Sequence, residues 1–147
     1  MLSLSDYQNV ITEEFSNLHI EKQPKNLYEP IDYILSLGGK RIRPVLTLMA
    51  ADIFEGDYKK AISAAKAVEM FHNFSLVHDD IMDDAPLRRG NETVHEKWNL
   101  NTGILSGDAM LILAYQYFEN YEPKIFQAFF TQLIFYRHPK PFSSLRL

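Results

Sequence analysis

One uninterrupted run of residues limits the fold more than any other feature of the sequence. Residues 59–82 contain neither glycine nor proline, are rich in alanine and carry apolar side chains nearly all round a helical projection. A helix that is apolar on every side is usually buried among other helices. We therefore expect a long helix in the middle of a bundle.

Helical periodicity recurs on both sides of this run. The periodic segments are residues 10–18, 27–37, 45–54 and 104–118. The first three end near Pro24, Gly38 and Gly56, and the second would be entered at Pro30. No segment alternates with a period of two for long enough to predict a strand. The predicted fold class is all-α, an antiparallel helical bundle.

The composition excludes several classes of protein and site. The 147 residues include 15 basic and 19 acidic side chains, a formal net charge of −4. Nucleic acid is not an expected partner, because surfaces that bind its backbone need a positive field. The absence of cysteine excludes disulfides, thiolate zinc sites and thiol nucleophiles. With no signal peptide and no apolar run of about 18 residues, we expect a cytoplasmic protein without a transmembrane segment.

Four carboxylates occupy six positions near the end of the predicted central helix: Asp79, Asp80, Asp83 and Asp84. Asp79 and Asp83 are four residues apart and so lie above one another on one helical face. Clustered carboxylates repel each other unless cations neutralise them, and Mg²⁺ prefers such oxygen ligands together with substrate phosphate. The alternative is an acidic face exposed to solvent, although negative charge opposes the dipole at a helix C-terminus.

Two basic clusters accompany these carboxylates. Arg88 and Arg89 follow them closely, and residues 40–43, with the sequence KRIR, come after two glycines about forty positions earlier. Arginine suits phosphate because its planar guanidinium donates hydrogen bonds in pairs. A diphosphate bridging Mg²⁺ and arginine would satisfy both sets of charges. Alone, the earlier cluster is equally compatible with a flexible turn bearing solvated side chains.

Four motifs occur together in one order. They are GGKRIRP at 38–44, EMFHNFSLVHDDIMD at 69–83, RRG at 88–90 and GILSGDAML at 103–111. Over roughly residues 5–130 the chain resembles the trans isoprenyl diphosphate synthases, the group of the farnesyl and geranylgeranyl diphosphate synthases. The resemblance implies the isoprenoid synthase type of helical bundle. It also implies condensation of isopentenyl diphosphate with an allylic diphosphate.

The resemblance further assigns roles to individual residues. Asp79 and Asp83 would be the ligands of Mg²⁺, which holds the allylic diphosphate, with Asp80 in support. Arg88 would contact the same diphosphate. The residues that would bind the diphosphate of isopentenyl diphosphate are Lys40, Arg43, His72 and Arg89.

His72 alone is more typical of a hydrogen-bonded core histidine. Its position seven residues before Asp79, two turns along one helical face, favours the substrate-binding role. Product length in the resembled family depends on residues about one turn before the aspartates. Here those residues are the bulky Phe74 and the small Ser75, and the DDIMD motif has no insertion. This combination predicts a C15 to C20 product, with C20 favoured.

Two features depart from the family pattern. Members are about twice as long and carry a second aspartate-rich motif, whereas Glu119 and Glu122 are the only acidic residues after Asp108. Residues 131–147 contain three basic and no acidic side chains. We therefore expect residues 1–130 to form the N-terminal half of an incomplete isoprenoid synthase domain. The remaining segment would be an atypical tail from a truncated or frame-shifted reading.

Three hypotheses follow. The first is a truncated short-chain synthase that is inactive as given and whose full-length form is a homodimer. The second is a non-catalytic interaction subunit that pairs with a full-length synthase. The third is an unrelated Mg²⁺-diphosphate bundle such as a terpene cyclase, which would not be expected to carry GGKRIRP. Retention of both the metal ligands and the basic residues favours the first, because an interaction subunit would not need them.

Overall fold

The computed structural model describes residues 2–18, 20 and 23–137. Its helices are α1 (Leu4–Ser16), α2 (Lys25–Ser36), α3 (Ile42–Glu55), a 3₁₀ helix (Tyr58–Ala61), α4 (Ile62–Met82), α5 (Val94–Lys97), α6 (Leu100–Gln116) and α7 (Pro123–Arg137). Two short strands, β1 (Leu87–Arg88) and β2 (Asn91–Glu92), lie between α4 and α5. The predicted all-α class is thus confirmed.

Helix α4 is the central helix of the first of two compact units, which ends at Tyr117. It packs against α1, α3, α5 and α6. Its fully buried residues lie mostly on one side, and all its other residues except the exposed Met82 are half-buried. The fully buried residues are Ala65, Ala67, Glu69, Met70, Asn73, Val77 and Asp80. Around it the core is formed by side chains of the flanking helices, including Tyr7, Ile11, Ile31, Ile34, Leu48 and Met110. Burial of these apolar side chains holds the helices together.

Close contact between α4 and α6 depends on a small residue. A Cβ atom at Gly107 would lie 2.5 Å from Nε2 of His78. Any larger residue at this position would push the two helices apart or displace the imidazole. One residue earlier, the hydroxyl of Ser106 donates to the carbonyl oxygen of Leu27 at 3.0 Å and so ties α6 to α2. The GILSGDAML motif is therefore a packing element of this unit.

Helix α2 begins one turn earlier than the sequence predicted. The sequence predicts entry at Pro30, but the helix starts at Lys25 and contains Pro30 in its second turn. A proline inside a helix loses one backbone hydrogen bond and crowds the preceding turn. Here the Pro30 ring is fully buried, and its apolar contacts offset part of that loss.

The segment after α4 forms a hairpin that periodicity did not predict. Leu87 pairs with Glu92 and Arg88 with Asn91 in antiparallel register. The turn residues Arg89 and Gly90 both have positive φ angles, 55° and 80°, as the central residues of a type I′ hairpin turn require. Strands of two residues are too short to show alternation. The hairpin holds the two consecutive arginines in a defined place.

The second unit begins at Phe118 and contains α7. Its aromatic side chains contact one another, with ring centroids of Phe118 and Phe129 4.6 Å apart and those of Phe126 and Phe130 also 4.6 Å apart. Helix α7 continues through Arg137, beyond the domain boundary predicted at residue 130. Residues 138–147 of the predicted tail lie outside the described residues, so the tail stays a prediction. Among the described residues, no helix is long and apolar enough to span a bilayer.

Candidate functional site

Asp80 and Arg88 form a bidentate ion pair between α4 and the hairpin. Nε of Arg88 donates to Oδ2 of Asp80 at 2.7 Å, and Nη2 donates to Oδ1 at 2.6 Å. The Asp80 side chain is only 3% exposed and that of Arg88 is 25% exposed. This hydrogen bonding raises the pKa of Arg88 above its ordinary value. Asp80 therefore orients Arg88, a specific contact that the sequence did not predict.

Asp79 and Asp83 lie one turn apart at the end of α4. The backbone N–H of Asp83 donates to the carbonyl oxygen of Asp79 at 2.9 Å, so the helical spacing assumed for the two carboxylates is present. Asp79 is half-buried, whereas Asp83 is exposed. Two carboxylates in this relation fit a hard divalent cation, which would complete its coordination with water or phosphate oxygen.

A polar cavity of about 330 Å³ lies between the loop before α3, the middle of α4 and the hairpin turn. Its lining residues are Gly39, Lys40, Arg41, Ile42, Arg43, Glu69, His72 and Arg89. The structure thus brings together all four residues predicted to bind one diphosphate, although they come from three separate segments. The other predicted site residues, Asp79, Asp80, Asp83, Arg88, Phe74 and Ser75, are not among those that line it.

His72 is held as a neutral hydrogen-bond acceptor in this cavity. Nη1 of Arg43 lies 3.1 Å from Nε2 of His72. Because a guanidinium can only donate, Nε2 accepts and the ring proton is on Nδ1. Burial, followed by the positive charges of Arg43, Arg89 and Arg88, lowers the pKa of His72 to about 4, while Asp79 opposes the shift. Four lysine and arginine side chains and one carboxylate line the cavity, which is therefore cationic.

We expect His72 to remain neutral at pH 5 to 7 in the folded chain. The pKa of His72 is about 4 in the folded chain, whereas its ordinary value is 6.5. Between these two pH values the unfolded chain therefore binds a proton at His72 that the folded chain does not bind. Stability should consequently fall as the pH drops from about 6.5 towards 4. The measurement is an NMR titration of the ring resonances, assigned with a His72→Gln variant. A midpoint near 6.5 would contradict the assignment of His72 to a cationic, half-buried site.

Gly39 allows Arg89 to approach the loop before α3. The φ angle of Gly39 is 144°, which non-glycine residues rarely adopt. A Cβ atom at Gly39 would lie 2.7 Å from Nη2 of Arg89. The second glycine of the GGKRIRP motif is therefore required both by its backbone angle and by the guanidinium that packs on it.

Comparison with known proteins places this arrangement in a family. Residues 24–137 match the family described as Polyprenyl synthetase.

The chain belongs to the polyprenyl synthetase family.

Several relatives of this polyprenyl synthetase family member are known. The chain is 44% identical over 113 residues to a geranylgeranyl pyrophosphate synthase from Geoglobus acetivorans, with 77% of this chain and 35% of that protein covered. It is 34% identical over 131 residues to a geranylfarnesyl diphosphate synthase from Natronomonas pharaonis, with 78% and 38% covered. A crystal structure of a geranylgeranyl pyrophosphate synthase has 56% identity and a TM-score of 0.78, with 83% and 37% covered. The chain thus spans little more than a third of the length of these relatives.

These comparisons confirm the resemblance and the isoprenoid synthase fold predicted from the four motifs. The comparisons do not favour the terpene cyclase hypothesis, because the family that matches is the polyprenyl synthetase family. The roles of the individual residues stay predictions.

Arg41 is a residue of this cavity that the sequence did not distinguish. It caps α3 in the left-handed conformation, with φ of 43°, and its Nη2 donates to the carbonyl oxygen of Leu35 at 3.0 Å. Its guanidinium carbon lies 4.3 Å from the ring centroid of Phe15. Burial lowers the pKa of Arg41, and the buried carboxylate of Glu69 opposes this. Arg41 thus anchors the end of the loop that carries Lys40 and the start of α3, where Arg43 lies.

Phe74 and Ser75, the predicted determinants of product length, lie on α4 one turn before the aspartates. The Phe74 ring makes edge contacts with Phe71 and His78, with centroid distances of 5.3 and 4.8 Å. The Ser75 hydroxyl donates to the carbonyl oxygen of His72 at 2.8 Å. Phe74 is therefore packed among other rings, and Ser75 forms a local helical hydrogen bond.

The described residues contain one further group of potential metal ligands. Ligand atoms of Asp84, His95 and Glu96 all lie within 4.8 Å of one another. Neither of the predicted Mg²⁺ ligands, Asp79 and Asp83, belongs to this group. The spacing of the aspartates could not have revealed it, because two of its members follow the hairpin.

Proposed function

We propose that this chain is the diphosphate-binding N-terminal portion of a short-chain prenyltransferase. The observation that carries the proposal is the cationic cavity, which gathers Lys40, Arg43, His72 and Arg89 from three segments. Such a set of donors suits the diphosphate of isopentenyl diphosphate. The names of the geranylgeranyl and geranylfarnesyl diphosphate synthases that the chain resembles support the same substrate class.

The allylic diphosphate would lie at the end of α4. Asp79 and Asp83 would hold Mg²⁺, whose charge makes diphosphate a better leaving group. Arg88, held in place by Asp80, would contact the same diphosphate and stabilise the negative charge that develops on it. The adjacent cationic cavity would bind the diphosphate of isopentenyl diphosphate. The two diphosphates would therefore occupy separate positions.

In the proposed reaction, the bond between the allylic carbon and its diphosphate breaks, and the bonding electrons leave with the diphosphate. The double bond of isopentenyl diphosphate attacks the allylic cation to form a carbon–carbon bond. Loss of a proton then restores an alkene. Apolar side chains of the bundle would protect the cation from water.

We expect Phe74→Ala to lengthen the product. Removing the ring would open space along α4 one turn before the aspartates, where the growing chain would descend. The measurement is the product distribution, by chromatography, of a chain extended by its downstream coding sequence. Phe71→Ala is the matched control, because it removes a ring that contacts Phe74. A product distribution that Phe74→Ala leaves unchanged would overturn the assignment.

We expect the 147 residues alone to be inactive, since they lack a second aspartate-rich motif. Reading the downstream DNA in all frames would show whether a helix-rich continuation with such a motif exists. We expect the extended chain to convert isopentenyl diphosphate and an allylic diphosphate only when Mg²⁺ is present. Robust turnover by the 147 residues alone would contradict the proposed inactivity. An inactive extended chain would instead favour the interaction subunit. We also propose that the full-length protein forms a homodimer in the cytoplasm.

A further inference from the structure

We propose that Asp84, His95 and Glu96 bind a divalent transition-metal ion such as Zn²⁺, at a site outside the Asp79–Asp83 pair. Their ligand atoms lie within 4.8 Å of one another. Proximity of carboxylates alone would not indicate a site. The additional observation is the state of the His95 imidazole.

The imidazole of His95 is almost fully enclosed and has no hydrogen-bond partner in the part of the chain that the structure describes. The side chain is 8% exposed, and neither Nδ1 nor Nε2 has a partner among the described residues. A neutral imidazole has one N–H donor and one acceptor, so both functions are unsatisfied. A buried donor or acceptor left without a hydrogen-bond partner destabilises the fold, because it has lost its hydrogen bonds to water. The carboxylate oxygen Oε1 of Glu96 lies 3.7 Å from Nε2, which is too long for a hydrogen bond.

A metal ion between these groups would satisfy the imidazole. Zinc binds histidine nitrogen and carboxylate oxygen at about 2.0–2.2 Å, so the three ligand atoms would need to move closer together. Asp84 and Glu96 are both exposed, and their side chains can rotate toward His95. One imidazole and two carboxylates favour Zn²⁺, Mn²⁺, Co²⁺ or Ni²⁺, whereas Mg²⁺ prefers oxygen ligands alone. Water would complete the coordination.

The position of the three ligands indicates what the metal would do. Asp84 precedes the hairpin, and His95 and Glu96 follow it on α5. The base of the hairpin is already closed by the buried Thr93, whose hydroxyl donates to the carbonyl oxygen of Ala85 at 2.8 Å. A metal ion would add a second closure at the same end. It would thereby restrict the hairpin that carries both arginines.

The test is a titration with Co²⁺, followed by visible absorption, and displacement of Co²⁺ by Zn²⁺. All variants carry Asp79→Asn and Asp83→Asn, so failure of the proposed prenyltransferase function would not affect the result. We expect saturation at one equivalent. Addition of Asp84→Asn and Glu96→Gln, both at exposed positions, should weaken binding about tenfold or more. The control adds Glu29→Gln and Glu55→Gln, which remove two exposed charges elsewhere.

A second measurement locates the metal at the imidazole. Zn²⁺ should shift the ring resonances of His95 but leave those of His72 in place. Equal Co²⁺ binding by the ligand variant and the control variant would overturn the proposal. The absence of saturable binding, or a His95 resonance that does not respond, would also overturn it and leave ordered water as the partner of the imidazole.

Discussion

Replacement of Arg88 by methionine is expected to lower the free energy of unfolding by about 3 kcal/mol. The substitution leaves Asp80, whose side chain is 3% exposed, as a buried charge without its bidentate partner. Because Arg88 is partly exposed, we expect a loss of free energy near the lower end of the range for breaking a buried ion pair. Urea unfolding followed by circular dichroism measures it.

Two variants separate this effect from simple loss of charge on the hairpin. Arg89→Met removes the neighbouring exposed arginine and should change the free energy of unfolding by only about 0.5 kcal/mol. The double variant Asp80→Asn with Arg88→Met removes both charges and should recover part of the loss. If Arg88→Met were as stable as the unmodified chain, the ion pair would not be an anchor of the hairpin.

Replacement of Arg43 by methionine should weaken binding of inorganic diphosphate about tenfold to a hundredfold, since hydrogen bonds to a charged group are each worth about 1.5–3 kcal/mol. The same substitution removes the positive charge nearest His72, so the pKa of His72 should rise from about 4 toward its ordinary value. Calorimetry measures the first change and NMR the second.

Lys59→Met is the matched control for Arg43→Met. It removes an exposed positive charge from the 3₁₀ helix, where no cavity-lining residue lies. We expect its diphosphate affinity to match that of the unmodified chain. Equal losses in the two variants would indicate that net charge, rather than the cavity, governs binding. A raised pKa of His72 without any loss of affinity would place the diphosphate elsewhere.

Local sequence patterns predicted the helical framework well. The apolar character of residues 59–82 was sufficient to identify α4 as the central helix, because only burial on several sides accommodates it. Helical spacing likewise predicted that Asp79 and Asp83 would lie one turn apart. The meeting of residues 40, 43, 72 and 89 at one cavity depends on long-range packing. It was expected only from the family resemblance.

Features created by tertiary contacts were not visible in the sequence. The Asp80–Arg88 pair depends on a hairpin whose strands have two residues each, and such strands carry no periodic pattern. Arg41 differs from the basic residues beside it in its left-handed backbone and its contact with Phe15. A run of basic residues in the sequence indicates neither feature. Local preference predicts Pro30 at a helix start, but it does not include burial, which offsets the cost of this proline inside α2.

Calorimetric titration of inorganic diphosphate into the unmodified chain and into the Asp79→Asn, Asp83→Asn variant tests most directly whether the aspartates form a Mg²⁺-dependent diphosphate site beside the cationic cavity. We expect Mg²⁺ to strengthen binding by the unmodified chain about tenfold or more, because the cation would bridge carboxylates and phosphate. The variant should lose this enhancement but retain Mg²⁺-independent binding through Lys40 and Arg43. Absence of binding by the unmodified chain would contradict the assignment of the cavity, and an identical Mg²⁺ effect in the variant would contradict the assignment of the aspartates.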